Sequence, residues 1–293
     1  MKEFLEIIFQ FSVLAFVVGS MIAMGLNLTI RQIAKPLRNV RLVTLVLAAN
    51  FLAVPFFAYL LVELLPLSMG VKEGIVLLSV AAGAPFLPKL ACIAKSDPAM
   101  SIALMLLLMV ATVFYMPLVL PYFLKGTEVD SLQIAKSLVT LMLVPLVASL
   151  YVKAHFQTTA ERLRPVFVKI SDFALVILAG ALILLHTKSI LGLWGWGLVS
   201  ILLLLTGAMG IGYIFGFGNP ERRFMLSIAT AQRNISAAIL VASRNFDDPE
   251  VTLTMVAAAI LGLLIMLPYA RARGKCAIDL QINEKETQWE KDI

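Results

Sequence analysis

The sequence predicts an all-α polytopic membrane protein, and three observations support this class. Hydrophobic residues make up 60% of the 293 positions and charged residues only 14%, whereas an ordinary soluble domain is about half apolar and a quarter charged. The apolar runs are about 20 residues long or more, which is the length that crosses a bilayer as a helix. They are also too long and uniform for barrel strands, so helices are the structure left that satisfies the backbone in hydrocarbon.

These runs predict nine membrane-spanning helices. The predicted spans are 7–29, 41–65, 72–95, 98–124, 132–152, 166–187, 191–217, 221–245 and 249–270. Residues 1–270 then form the transmembrane domain, and the charged residues 271–293 form a tail. The first apolar run lacks a clear small-residue cleavage site, so we interpret it as a helix and not as a signal peptide.

Basic residues in the loops predict the orientation, because Lys and Arg are enriched on the cytoplasmic side of a membrane. With the N-terminus outside, sixteen Lys and Arg residues fall in inner loops and the tail, and six fall in outer loops. This predicts an integral protein of the cell (inner) membrane with a cytoplasmic C-terminus. The net charge of +6 is then a signal of topology, and nucleic acid is not an expected partner.

Two stretches of the chain share a spacing that predicts an internal repeat. An Asp-Pro pair is the usual start of a helix, with Asp as the cap and Pro in the first turn. Each pair is followed, after eighteen residues, by another proline: Asp97-Pro98 by Pro117, and Asp248-Pro249 by Pro268. In the predicted topology the two copies run in opposite directions. The halves, about 1–124 and 132–270, therefore form an inverted repeat, which is the usual plan of secondary transporters.

The span before each copy is interrupted in its middle. In span 72–95 the segment GAPFLPKL contains three helix-breaking residues, namely Gly83, Pro85 and Pro88. In span 221–245 the segment TAQRNIS lacks proline but contains three consecutive polar residues, namely Gln232, Arg233 and Asn234. Irregular backbone at membrane depth is tolerated only inside protein or beside a water-filled cavity. We therefore expect the two interrupted spans to cross each other at their breaks.

Lys89 and Arg233 are the basic residues predicted to lie deep in the bilayer, one at each interruption. A charge at that depth costs about 2.5–3.5 kcal/mol or more, so it is normally turned inward and paired, or used on a transport pathway. A purely structural pairing is the alternative. The presence of one charge at each break favours a role in transport.

Around these residues the chain resembles the bile acid:sodium symporter family. Four segments carry the resemblance in the order and spacing of the family: MIAMGLNLT, ANFLAVP, ACIAKSDPAMS and ATAQRNISAAILVASRNF. The resemblance covers nearly the whole chain. It implies a core domain that contains the two crossing interrupted helices, a panel domain, and secondary transport of small organic anions. It also implies that Asn50 and Ser101 stand at positions of sodium ligands.

Other ligand positions of that family carry side chains that do not bind sodium. The resemblance places Ala229 at a ligand glutamate, Arg233 at the glutamine that follows it, and Met105 at a ligand threonine. The Ser-Asn pair of the first crossing helix falls at Leu87-Pro88. Sodium is therefore doubtful as the coupling ion, and a proton is the other candidate. The two basic residues at the breaks are expected to substitute for the charge of sodium.

The alternatives within transport are a proton-coupled carrier or exchanger and an arsenite-type permease of the same superfamily. An alternative of another class is a membrane receptor that keeps the fold and has lost transport. An enzyme is not expected, because the sequence contains no HExxH motif, Ser/His pair or paired intramembrane carboxylates. The two histidines lie in or beside predicted loops, so no metal site is expected, and no Walker A or Rossmann glycine pattern indicates a cofactor. The expected partners are the lipid bilayer, a small organic anion and a coupling ion.

Overall fold

The computed structural model describes residues 2–28, 38–123, 131–185 and 193–291. Within these ranges the chain is helical apart from turns, short connections and one isolated β-bridge. The predicted boundaries at residues 1, 29, 124, 187, 191 and 293 lie outside the described part.

The helices follow the order of the predicted spans. The first half of the chain contains α1 (Lys2–Gly25), α2 (Val40–Ala48), α3 (Val54–Leu64), α4 (Met69–Val80), α5 (Leu87–Ile93) and α6 (Pro98–Phe123). The second half contains α7 (Ser131–Leu138), α8 (Val144–His155), α9 (Gln157–Leu185), α10 (Trp196–Phe215), α11 (Pro220–Ala231), α12 (Ile235–Asn245) and α13 (Pro249–Lys291). Two π-helical segments, π1 (Ala49–Ala53) and π2 (Val139–Leu143), join α2 to α3 and α7 to α8 without a gap.

Six helical stretches in the described residues are long and apolar enough to cross a membrane. They are Leu5–Gly25, Val40–Leu64, Ala99–Phe123, Ser131–His155, Trp196–Phe215 and Pro249–Gly274. The predicted spans 72–95 and 221–245 are each divided into two shorter helices, and the predicted end of 166–187 lies outside the described part. The protein is therefore an integral membrane protein with several helical spans, and the total of nine stays a prediction.

The C-terminal residues continue the last helix. The sequence predicts a membrane span that ends near residue 270, whereas α13 extends to Lys291. The residues beyond Pro268 include no further proline and many strong helix formers, such as Arg, Lys, Glu, Gln and Ala. The change near residue 270 is therefore a change of polarity and not an end of the helix.

The helices pack in two groups. In one group α1 lies along α9 and α8, where the hydroxyl of Ser171 donates to the Phe16 carbonyl at 3.2 Å. In the other group α10 lies along α11, and Gly212 lets the two backbones approach closely at Leu226. The second group also contains α4 to α6 and α13, with α4 packed against α13 and α6. The α12 helix contacts both groups, through α1 and α7 on one side and α13 on the other.

Each interrupted helix begins against the Asp-Pro start of the other predicted copy. Just before α4, the Ser68 hydroxyl donates to Glu250 Oε2 at 2.5 Å in the first turn of α13. At the start of α11, Glu221 Oε1 accepts the backbone N–H of Asp97 at 3.1 Å, just before α6. Both contacts join the start of an interrupted helix to the Asp-Pro start of the other copy, but the carboxylate lies on the Asp-Pro helix in the first contact and on the interrupted helix in the second.

The two Asp-Pro helix starts are also capped in the same manner. Asp97 Oδ1 accepts the N–H of Ala99 at 2.8 Å, and Asp248 Oδ1 accepts the N–H of Glu250 at 2.9 Å. In each case the proline occupies the first helical position, where its missing N–H is not needed. The helix starts predicted at these two pairs are confirmed.

Candidate functional site

The two interrupted helices meet at their breaks. The first break separates α4 from α5 at residues 81–86, and the second separates α11 from α12 at residues 232–234. Ala82 and Arg233 form an isolated antiparallel β-bridge, and the N–H of Asn234 donates to the Ala81 carbonyl at 2.9 Å. Each extended segment therefore supplies backbone partners that the other lost when its helix ended.

A threonine of α6 satisfies the unwound backbone of the first break. The Thr112 hydroxyl accepts the N–H of Ala82 at 2.9 Å and donates to the carbonyl of the same residue at 3.0 Å. Thr112 is fully buried. We did not predict this residue from the sequence, although a hydroxyl in the apolar middle of α6 was an available signal.

The three residues predicted to break the first helix have separate roles. Gly83 has φ of +84°, a conformation that glycine adopts readily and other residues rarely do. Pro85 lies in the turn between the two half-helices, and Pro88 lies in the first turn of α5, where proline is favoured. The break predicted from Gly83, Pro85 and Pro88 is confirmed, but Pro88 starts the second half-helix and does not kink it.

Arg233 is buried at the crossing with only 2% of its surface exposed. Its guanidinium donates to four oxygens, with distances of 3.1 Å to Leu78 O, 3.0 Å to Ser79 O, 2.8 Å to Thr230 O and 3.5 Å to Asn50 Oδ1. Leu78 and Ser79 belong to the last turn of α4, and Thr230 belongs to the last turn of α11. The C-terminal ends of two half-helices, which carry partial negative charge, therefore converge on one cation.

None of the described carboxylates forms an ion pair with Arg233. The positive charge is held by neutral oxygens and by helix dipoles. The expectation that a deep charge is turned inward is therefore met at Arg233, with backbone carbonyls as its partners. Four of its five N–H groups are used in these bonds, so most of its bidentate fork is already occupied by protein oxygens.

Asn50 reaches Arg233 from the π1 segment. Its side chain is fully buried, and its amide Nδ2 donates to Val46 O at 3.0 Å and to Thr230 Oγ1 at 3.2 Å. Such π segments inside α-helices occur frequently at functional sites. Pro55 lies two residues after π1 and lacks the N–H that a regular helix would need, which explains the local change of winding. The sequence identified Asn50 but not the π geometry in which it lies.

The two residues next to Arg233 in the sequence each have a side-chain polar atom without a hydrogen-bond partner in the described part of the chain. Asn234 is fully buried, and its Oδ1 caps α12 by accepting the N–H of Ala237 at 3.1 Å. Its Nδ2 and the Oε1 of half-buried Gln232 have no hydrogen-bond partner among the described residues. Buried polar atoms are normally hydrogen-bonded, so these two atoms are candidates for contact with a ligand.

Ser101 lies apart from this centre. It is buried in the first turn of α6, and its N–H donates to the Asp97 carbonyl at 3.2 Å. The hydrogen bonds of Arg233 within the described part of the chain do not include it. The structure therefore brings Asn50, Gln232 and Asn234 together around Arg233, and it leaves Ser101 at the end of α6.

Lys89 differs from Arg233 in its surroundings. Its side chain is exposed on α5, with Nζ 5.2 Å from the centre of the Phe86 ring. Cys92, one turn later, is exposed on the same face, whereas Leu87, Leu90 and Ala91 are buried. Lys89 is therefore not turned into the protein interior, and its use on a transport pathway stays a prediction. The break begins a short helix at Leu87, and position 89 falls on the open face of that helix.

A hydroxyl pair links the second break to α1. Ser20 Oγ and Ser236 Oγ lie 3.1 Å apart, and Ser236 is in the first turn of α12. The pair lies where α1 contacts α12, two residues from Asn234, whose Nδ2 has no described hydrogen-bond partner. Sequence reasoning missed both serines, because small hydroxyl residues in apolar helices carry little signal by themselves.

The fold and the site together define a class of protein. Two interrupted helices cross at a buried polar centre within a bundle of apolar helices, which is the arrangement found in secondary membrane transporters. The comparison of sequences agrees: the chain belongs to the Sodium Bile acid symporter family, which it matches over residues 14–193. The family is one of transporters and not of enzymes.

Three plant proteins are among the similar sequences. Probable sodium/metabolite cotransporter BASS3, chloroplastic, from Arabidopsis thaliana is 23% identical over 84% of this chain and 60% of its own length. The corresponding BASS2 protein of Oryza sativa subsp. japonica is 24% identical over 88% of this chain and 64% of its own. The BASS5 protein of Oryza sativa subsp. indica is 22% identical over 86% of this chain and 67% of its own. The chain thus spans about two thirds or less of the length of these relatives.

Proposed function

We propose that this protein is a secondary transporter of small organic anions in which Arg233 takes the place of the coupling cation. The observation that carries the proposal is the ring of neutral oxygens around a buried guanidinium at the crossing of the two interrupted helices. Membership of the family supports transport of a small molecule across a membrane.

The surroundings of Arg233 have the chemistry of a cation site. In transporters with discontinuous helices, unwound carbonyls and the C-terminal ends of half-helices coordinate sodium or replace its hydration. Here the carbonyls of Leu78, Ser79 and Thr230 and the amide oxygen of Asn50 bind the guanidinium instead. A cation that is covalently part of the chain satisfies these oxygens without an ion from solution.

The replaced ligand positions support the same proposal. Ala229, Met105 and Leu87, which the resemblance aligns with sodium ligands, are buried side chains without oxygen. A sodium ion prefers several oxygen ligands, and a site without them would leave part of its charge unsolvated. The neighbourhood of the crossing thus holds a permanent cation and lacks most of the oxygens that a mobile one would need.

The anion is proposed to bind next to Arg233 and not on it. Four of the guanidinium N–H groups are occupied, whereas Asn234 Nδ2 is a buried donor without a described partner. It lies at the N-terminus of α12, where the helix dipole favours negative charge. The Ser236 hydroxyl belongs to the same turn. Lys89, exposed on α5, supplies a second positive charge to attract the substrate.

Sodium is expected not to be required for transport. In proteoliposomes that contain the purified protein, uptake of a panel of small carboxylates should proceed at equal rates with sodium, potassium or choline as the external cation. The reason is that Arg233 permanently provides the positive charge that sodium would bring. An imposed proton gradient forms the third arm, and acceleration by it would identify the proton-coupled alternative.

Uptake that needs sodium and saturates with sodium concentration would overturn the fixed-cation proposal. Protein-free liposomes control for leakage of the carboxylates. A protein that binds one of the anions tightly, but moves none under any gradient, would favour the receptor alternative.

Lys89→Gln is expected to weaken anion uptake without lowering the melting temperature of the purified protein. The side chain is exposed and its described contact is one cation–π interaction, which contributes about 0.5–1 kcal/mol at such sites. Loss of a nearby positive charge should raise the apparent KM for the anion by several-fold. Lys95→Gln, at the end of the same half-helix segment, is the matched control. An unchanged KM in Lys89→Gln would remove Lys89 from the pathway.

We also propose nine spans, an external N-terminus and two inverted copies, about 1–124 and 132–270. The two contacts between helix starts, from Ser68 to Glu250 and from Asp97 to Glu221, support the inverted copies. The excess of basic residues in the predicted inner loops supports the orientation.

The topology predicts which positions a membrane-impermeant thiol reagent reaches in intact cells. In a protein without its two native cysteines, Asp247→Cys should be labelled and Thr158→Cys should be protected until the membrane is permeabilised. Both positions are exposed in the structure, so burial does not account for the difference. Labelling of Thr158→Cys in intact cells, with protection of Asp247→Cys, would reverse the orientation.

A further inference from the structure

A cavity distinct from the crossing lies where α10 ends and α11 begins. Its volume is about 560 Å³, and its lining includes Tyr213, Asn219, Arg223, Phe224, Tyr269 and Arg273. These residues come from α10, the start of α11 and α13. The Arg233 centre lies at the opposite end of α11, which has twelve residues and is about 18 Å long. The cavity is therefore a separate site.

Two arginines give this cavity a positive character. The guanidinium of Arg223 lies 5.1 Å from the centre of the Tyr213 ring, and its Nη1 donates to the Tyr213 hydroxyl at 3.4 Å. Arg223 forms no ion pair with a described carboxylate. Arg273 is 3.6 Å from Glu221 Oε2, and the other oxygen of Glu221 accepts a backbone N–H. Glu221 is not among the lining residues, so the lining contains two arginines and no carboxylate.

The lining includes three aromatic side chains. Phe224 and Tyr269 stack with their ring centres 5.3 Å apart, and the ring of Tyr213 contacts Arg223. Aromatic residues with arginine at the end of apolar helices are typical of the membrane–water interface. The start of α11 adds the positive end of its helix dipole. A ligand that carries both a negative charge and an apolar group would therefore fit in this cavity.

We propose that this cavity binds the phosphate group of an organic phosphate ester. Guanidinium groups bind phosphate oxygens through paired, charge-assisted hydrogen bonds, and Arg223 and Arg273 line the same cavity. The volume lies within the range of about 300–1,000 Å³ that small-molecule sites occupy. An anionic phospholipid headgroup and a soluble phosphate ester share this chemistry, and an experiment separates them.

The test is ligand-dependent thermal stabilisation of the full chain in detergent. Phosphatidylglycerol and glycerol 3-phosphate are the two phosphate probes, and phosphatidylcholine is the lipid without net charge. At least one phosphate probe should raise the melting temperature of the wild type, with phosphatidylcholine less effective. Arg223→Gln should weaken the apparent affinity about tenfold or more, because a charge-assisted bond to one guanidinium is lost.

Two further variants keep the test independent of folding. Arg273→Lys retains the charge next to Glu221 and should lose part of the affinity, because the guanidinium fork is lost. Arg271→Gln removes the same charge two residues away on an exposed position that does not line the cavity, and should bind like the wild type. Stabilisation by the lipid alone identifies a headgroup site, and stabilisation by glycerol 3-phosphate identifies a soluble ligand. Equal affinity of Arg223→Gln and wild type, or no response to either phosphate probe, would overturn the proposal.

Discussion

Arg233→Ala is expected to abolish transport, or to leave transport that depends on an added cation. The change removes a buried charge and leaves Leu78 O, Ser79 O, Thr230 O and Asn50 Oδ1 without their described guanidinium partner. Losing the stabilisation of even one bond to a charged group, about 1.5–3 kcal/mol, lowers the population of the intact crossing about ten- to a hundredfold, and uptake should fall by at least as much. Uptake in proteoliposomes, with and without sodium, measures this effect.

Arg233→Lys separates the charge from its geometry. Lysine keeps a cation but offers a compact ammonium with three donors in place of a planar fork with five. We expect it to restore only part of the rate. Melting temperatures should be measured alongside, and sodium should stabilise Arg233→Ala more than the wild type because the emptied oxygens can bind the ion. An Arg233→Ala protein that folds and transports like the wild type would defeat the fixed-cation proposal.

Gly83→Ala is expected to have the largest effect on folding. Gly83 has φ of +84°, which costs a residue with Cβ about 1–2 kcal/mol. An added Cβ would overlap the backbone nitrogen of Met109 and lie 2.7 Å from the carbonyl oxygen of Met105. Both are backbone atoms of α6 and cannot rotate away, so overpacking adds about 1–3 kcal/mol. The sum is a large part of a typical stability of about 5–15 kcal/mol.

The measurement is the melting temperature and yield of the monodisperse protein in detergent. Gly210→Ala in α10 is the matched control, since no atom lies within 4 Å of an added Cβ at that position. The control should be neutral or slightly stabilising, because alanine favours a helix by about 0.5–1 kcal/mol over glycine. Equal melting temperatures for the two variants would mean that the first break does not pack against α6 as described.

The helix breaks and helix starts could be predicted because they depend on residues at those positions alone. Gly83 and Pro85 prevent a regular helix wherever the chain lies, and Asp-Pro pairs start helices from their own side chains and backbone. The second break was predicted without proline, from three adjacent polar residues at 232–234. Its position is confirmed because α11 ends at Ala231 and α12 begins at Ile235.

What could not be predicted depends on residues that are distant in sequence. Arg233 binds Leu78 and Ser79, which lie about 150 positions earlier, and no local pattern indicates that pairing. The sequence therefore indicated a buried cation but not its partners, whereas the structure shows a guanidinium enclosed by carbonyls. The exposure of Lys89 could not be predicted either, because it follows from the rotation of α5 about its axis and not from the composition of the segment.

A cation that is covalently attached changes the electrical balance of a transport cycle. After each complete cycle Arg233 is back at its starting position, so under the fixed-cation proposal the net charge moved is that of the anion alone. A negative-inside membrane potential opposes inward movement of each negative charge by about 2.3 kcal/mol per 100 mV. A sodium-coupled carrier offsets this by moving positive ions with its substrate. The buried guanidinium therefore suits export of an anion, or exchange of one anion for another, better than accumulation against the potential.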